Sequence, residues 1–292
     1  MNCIAKWLSP FWAILWRSGL FIVLWGILLA PAVVPFAARL KAGQRVNPAQ
    51  MLYFEAAGAL TILAAAWLMV RLVDRRPFIS LGFGLGHLSR DLLLGASIGA
   101  GWLFLSIAIL WLAGWIAPQS SPPILWFNLV WTAGALVFNT LCQEVLARSY
   151  IFQTIQSRTS PLVAILSSSV LFSACHAGAF HGAWLLPAFN VFIAGVLFGA
   201  AYYLTGNLWL PIAIHFTWNF LVGPVLGLTV SGRDELNGGW QVFSVHGPQL
   251  FTGGPFGIEG GFVVTLTSAL IIGLMLFLFG RKNTMRSQPS AS

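Results

Sequence analysis

Residues 126–148 read W-F-N-L-V-W-T-A-G-A-L-V-F-N-T-L-C-Q-E-V-L-A-R. The run is long and apolar enough to cross a bilayer, which takes about 20 such residues. It nevertheless ends on Gln143, Glu144 and Arg148. A charged side chain at mid-bilayer costs about 2.5–3.5 kcal/mol even on the lenient insertion scale, so such groups face a bundle interior and meet a partner there. Two further apolar stretches have the same character. F-S-A-C-H ends on His176, and H-F-T-W-N carries His215 and Asn219. Three helices that each bring polar atoms into lipid can enclose one common polar site.

The rest of the chain sets that site in a membrane. Of its 292 residues, 58% are hydrophobic and 8% charged, too few charges to cover a soluble domain of this length. The composition predicts an all-α, polytopic membrane bundle of about eight spans, read as one domain over 1–292. The candidate spans are 18–38, 52–72, 92–116, 126–146, 160–178, 185–204, 208–228 and 261–280. The first follows Lys6 and Arg17 and lacks a small-residue cleavage site, so it reads as a span and not a signal peptide. The net charge of +8 comes from residues at helix ends and does not point to nucleic acid. Arg71, Arg75, Arg76, Arg90, Arg158, Arg281, Lys282 and Arg286 place both termini on the cytoplasmic side, with Arg39, Lys41 and Arg45 dissenting. The expectation is an integral multi-pass protein of a bacterial cytoplasmic membrane, in contact with lipid. Glu55 reads as an interfacial acid, segment 229–260 as a solvated outer loop, and 283–292 as a polar tail. Cys3, Cys142 and Cys175 form no ligand or disulfide spacing and read as packing residues.

Helix geometry gives the candidate residues their relations. Glu144 and Arg148 are four apart, so they lie within about 40° of each other and can pair. Gln143 points about 100° away from Glu144, into a different space. Phe172 lies one turn before His176 and packs beside it. His215 and Asn219 stack on one face as two donors about a turn apart, which suits an oxyanion hole. The sequence has no G-x-S-x-G elbow, no H-E-x-x-H helix and no phosphate loop. A buried glutamate and two histidines can activate water, with or without a metal, and Asn and His can hold the oxyanion that results. The chemistry that fits is hydrolysis of an amide within the membrane.

The order E-E-x-x-x-R, F-x-x-x-H, H-x-x-x-N on successive helices resembles the CPBP family of intramembrane proteases. That family includes the CAAX prenyl endopeptidases and the bacterial Abi proteins linked with bacteriocin processing and immunity. The likeness covers about residues 126–228, and R-R-P-F-I-S-L-G-F before R-D-L-L-L-G is similar to the family's lead-in. It implies an intramembrane endopeptidase acting on a membrane-associated peptide or protein. Glu144 would be base or metal-facing carboxylate with His176 as its partner, and Arg148 would orient Glu144. His215 and Asn219 would hold the oxyanion. A divalent metal such as zinc, where one is used, would fall to Glu144, His176 and His215. The chain departs from the pattern at Gln143, which stands where the family has its first glutamate; Ala147 and Ser149 stand where Phe and Gly commonly flank the arginine. An amide can position water but cannot take its proton. The alternative is therefore a catalytically impaired relative acting as a membrane binding or immunity protein, with a transporter ranked last.

Overall fold

A computed structural model describes residues 3–41, 47–120, 126–180, 185–236 and 240–286. The chain is a bundle of α-helices: α1 (Cys3–Lys41), α2 (Pro48–Leu68), α3 (Leu88–Leu112), α4 (Trp126–Glu144), α5 (Ile151–Gln156), α6 (Pro161–Cys175), α7 (Leu185–Thr205), α8 (Trp209–Phe220), α9 (Gln249–Thr252) and α10 (Phe262–Arg286). Local sequence explains the clearest starts. α2 opens on a capping box between Asn47 and Gln50 with Pro48 at its first position, and α6 on Ser160 followed by Pro161. Two short strands, β1 (Ile116–Pro118) and β2 (Phe243–Val245), pair antiparallel outside the bundle.

Among the described residues, six helical runs are long and apolar enough to cross a membrane: Pro10–Val34, Pro48–Val73, Leu88–Leu112, Trp126–Gln156, Leu185–Thr205 and Phe262–Phe279. The protein is thus an integral multi-pass membrane bundle, with six membrane-length helices where about eight spans were expected. The expected span 160–178 is the 15-residue α6, cut short where the chain turns at His176. Its rise of about 22 Å falls short of a hydrocarbon core of about 30 Å. The expected span 208–228 is α8, which passes into a π-helical turn, Leu221–Val225, around Pro224. The two short helices are the ones that carry His176, His215 and Asn219.

α4 does not end at Glu144 either. A π-helical turn, Val145–Tyr150, joins it to α5. Such turns insert one residue into the helix and recur at functional sites. Of the three in this chain's described residues, one follows Glu144 directly, one begins two residues beyond Asn219, and the third, Met69–Val73, ends the second long helix away from these residues. α2 packs on α4, α6 on α7, α3 on α8, and α4 also touches α8, so the polar helices meet inside the bundle. Large apolar side chains of α1 and α10 face outward, among them Phe11, Trp12, Leu274 and Phe277.

The segment expected as a solvated loop is folded against the helices. Leu236, Trp240, Phe256, Ile258 and Glu259 are buried, and Trp240 Nε1 donates to the Val225 carbonyl at 3.2 Å. Glu55, expected as an interfacial acid, is buried among its neighbours.

α3 and α8 approach closely because α3 presents glycine at 95 and 99. A Cβ at Gly95 would lie 2.6 Å from Ala213 Cβ, and one at Gly99 2.7 Å from the Ile214 carbonyl oxygen. Gly99→Val should cost about 1–3 kcal/mol through overpacking and should displace the helix that carries His215. The reading is a lowered melting temperature in detergent, with Gly101→Ala, where a Cβ meets nothing within 4 Å, melting like the parent.

Candidate active site

The interior of α4 and α8 is joined by one carboxylate. Glu144 is fully buried, and its Oε1 lies 2.9 Å from Nδ1 of His215. Its Oε2 lies 3.4 Å from Nε of Arg148, within ion-pair reach but not aligned as a hydrogen bond. Arg148, also fully buried, donates from one terminal nitrogen to the Gly195 carbonyl on α7 at 3.0 Å. Its guanidinium carbon lies 4.4 Å from the Phe172 ring centroid and 5.4 Å from that of Phe198. The His215 ring stacks on Phe198 at 4.7 Å and meets Phe172 edge-on at 5.7 Å. Charge and imidazole are therefore fixed by the same two aromatic faces. A carboxylate only accepts, so Nδ1 of His215 is the donor and Nε2 is left for another partner.

His176 sits where α6 ends. Its Nδ1 lies 2.8 Å from the Phe172 carbonyl oxygen, which fixes Nδ1 as donor and leaves Nε2 an acceptor. The rings of Phe172 and His176 are 4.8 Å apart, as their one-turn spacing implied. Asn219 lies one turn beyond His215 on α8, and both are buried.

Two cavities meet at these residues. The larger, about 440 Å³, is lined by Gln143, His176 and Asn219 together with Glu55, Asn139, Cys142, Cys175, Ser231 and Arg233, and by apolar groups such as Trp25, Phe54 and Leu146. The smaller, about 30 Å³, is lined by His176, His215, Asn219, Trp218, Ser231 and Glu259 among others. His176, Asn219 and Ser231 belong to both. Glu144 and Arg148 line neither. The sequence reading paired Glu144 with His176; its hydrogen-bond partner in the structure is His215.

Gln143 looks away from Glu144, into the larger cavity. Its Nε2 donates to Asn139 Oδ1 at 2.8 Å, and Asn139 Nδ2 donates to Glu55 Oε2 at 2.9 Å. Glu55 Oε1 accepts from Arg233 at 3.2 Å. The carboxylate sets the direction of the chain: Asn139 must donate to it, so Gln143 must donate to Asn139. The Gln143 carbonyl oxygen is left buried without a hydrogen-bond partner among the described residues.

Glu259 has the most donors of any carboxylate at the site. Oε1 accepts from Trp218 Nε1 at 2.5 Å, and Oε2 accepts from the Ser231 hydroxyl at 2.8 Å and from the Ser231 backbone N–H. Ser231 holds a positive φ of 48°, a conformation uncommon for a residue with a side chain, and presents both donors to one oxygen. Asn190 on α7 donates to the carbonyls of Glu259 and Gly261 at 2.8 and 2.9 Å, which fixes the backbone that carries the acid.

The sequence reading missed Glu55, Asn139 and Glu259. Asn139 could have been found, since it is a second polar residue one turn before Gln143. Glu259 had no local signal, because only the folding-back of a distant loop brings it to His215.

The comparisons with known proteins find a family likeness over part of the chain. Residues 125–221 match the family model described as Rce1-like: Type II CAAX prenyl endopeptidase Rce1-like. That stretch holds Gln143, Glu144, Arg148, His176, His215 and Asn219, so the likeness to a CAAX-type membrane protease covers the helices that build the site. No curated protein matches the chain, and no solved structure does. A zinc held by Glu144, His176 and His215 does not fit the placement of the donors, since Glu144 faces His215 and Arg148 and lines neither of the cavities that His176 borders. Among the described residues, no group of three His, Cys, Asp or Glu side chains is placed to hold a metal ion.

Proposed function

We propose that the protein is an intramembrane endopeptidase that hydrolyses membrane-associated peptides. The observation that carries this reading is the meeting of His176, from the end of α6, with His215 and Asn219 of α8 at two adjoining cavities. The larger has the volume of a small-ligand pocket and mixes apolar walls with amide and charged groups, which suits a stretch of peptide. The smaller suits water.

In this reading Nε2 of His176 accepts a hydrogen bond from the attacking water and aims its lone pair at the peptide carbonyl carbon. The carbonyl π pair moves onto oxygen. Asn219 donates to that oxygen through its amide, and His215 does so through Nε2 as an imidazolium whose charge Glu144 offsets. Donors fixed in advance are the strongest single aid to such a step. Glu144 and Arg148 thereby act as positioning residues for His215. The unpartnered carbonyl of Gln143 is an acceptor for water or for a peptide N–H.

Gln143 also favours a second reading, a binding or immunity protein that has kept the fold without the reaction. The test offers a fluorogenic peptide library to the full-length protein in liposomes, beside Gln143→Glu. Cleavage by the natural chain is the expected result. In Gln143→Glu the new carboxylate faces Asn139 Oδ1 in place of a donor, so turnover should not rise and the fold should lose about 1–3 kcal/mol. Turnover confined to Gln143→Glu would assign the natural chain to the second reading.

A further inference from the structure

We propose that Glu259 is the general base of the hydrolytic centre, taking a proton from a water held in the small chamber between it, His176, His215 and Asn219. The inference rests on the protease reading and supplies what that reading lacks, a carboxylate to replace the one absent at position 143.

The chamber fits its occupant. A water needs about 10–15 Å³ on this measure and two to four polar partners, and the space of about 30 Å³ is bordered by two imidazoles, an amide, a hydroxyl and a carboxylate. Glu259 is the only acid on that border among the described residues. The rival acids are otherwise engaged. Glu144 is held between His215 and Arg148 and lines neither cavity. Glu55 lines the larger cavity, not the smaller, and its two oxygens are engaged by Arg233 and Asn139. The partners of Glu259 are neutral donors, and each carboxylate oxygen has two acceptor sites. Oε1, with Trp218 as its one donor among the described residues, keeps the second for water.

The acid is also placed and tuned. Trp218 precedes Asn219 on α8, so base and oxyanion donor hang on consecutive residues, and the Trp218 ring is clamped against Trp102 at 3.7 Å between centroids. Burial pushes the Glu259 carboxyl above its ordinary value, while the donors of Ser231 and Trp218 and the charge of His215 pull it back. A base raised in this way is better matched to water than an exposed glutamate is. His176, Asn219 and Ser231 border both chambers, so a water held in the small one lies beside the groups that would meet a peptide carbonyl in the large one.

The step balances within the chain. One proton of the water passes to Glu259 Oε1, and the water oxygen's pair forms the C–O bond to the peptide carbonyl. The oxyanion then collapses, the C–N bond breaks, and its pair takes the proton back from Glu259 to leave as an amine. One water is consumed and the carboxylate is restored.

Full-length protein in liposomes with a peptide from the library tests this. Glu259→Gln should lower kcat about 100-fold or more with KM nearly unchanged. Glu259→Asp keeps a carboxylate and should retain part of kcat, with the acid limb of the kcat–pH profile shifted. The proposal is overturned by Glu259→Gln turning over within about threefold of the parent while His176→Ala is inactive, an outcome that leaves the protease reading standing. It is overturned equally by a kcat loss that appears in Glu55→Gln instead, or by an unmoved acid limb in Glu259→Asp, which decides the matter where the Gln variant does not fold. A natural chain that cleaves nothing, or cleaves without regard to His176, removes the parent reading and this one with it.

Discussion

Glu144→Ala is expected to destabilise the protein by about 3–5 kcal/mol, the cost of removing one partner from a buried ion pair. Arg148 is fully buried and cannot shed its charge. Without Glu144 its compensation is the Gly195 carbonyl and the faces of Phe172 and Phe198. Cation–aromatic contacts contribute about 2 kcal/mol when desolvated, less than an unpaired buried guanidinium loses. The measurements are the melting temperature in detergent and the monodisperse fraction after purification, and both should fall sharply.

A companion variant separates stability from chemistry. Glu144→Met with Arg148→Met removes both charges and keeps the volume, a change that in buried pairs is often neutral or better. It should recover most of the lost stability and none of the lost turnover, because His215 then has no acceptor at Nδ1 and no charge to offset an imidazolium. Recovery of both would make the trio a fastener of α4 to α8 and nothing more.

The extent to which the site could be read in the sequence follows the range of the interactions. The pairing of Glu144 with Arg148, the packing of Phe172 on His176, the shared face of His215 and Asn219 and the separate outlook of Gln143 all depend on spacings of one helical turn, and each is visible in a string of letters. The partner of Glu144 was not. Whether it meets His176 or His215 depends on how α8 sits against α4, and α8 is seated in turn on α3 by contacts such as Gly95 against Ala213. The membrane spans were legible where an apolar run is long. They were less legible at α6 and α8, where the helices fall short of membrane length, because a run of apolar letters does not reveal that the helix stops at His176 or changes pitch near Pro224. Glu55 and Glu259 were the furthest from view. Beside Gly and Ala, or within a Gly-rich loop, an acid looks solvated, and only partners more than 40 positions away, Trp218 for Glu259 and Asn139 for Glu55, show otherwise.

His176→Ala is expected to show the opposite balance to Glu144→Ala, with turnover reduced about 1000-fold or more and stability changed by only about 1 kcal/mol. The ring sits at the end of a helix, partly exposed to the cavities, and its structural ties are one hydrogen bond to the Phe172 carbonyl and one ring contact. Its free Nε2, by contrast, is the acceptor that aims the water. His176→Gln separates aiming from proton transfer, since the side-chain carbonyl reaches about as far as Nε2 and accepts a hydrogen bond but has no useful basicity. With Glu259 as base, the Gln variant should regain a measurable part of the turnover that the Ala variant loses. Regaining nothing would mean that the imidazole itself receives the proton. The base would then be His176, and Glu259 would be reduced to holding Trp218 and Ser231 in place.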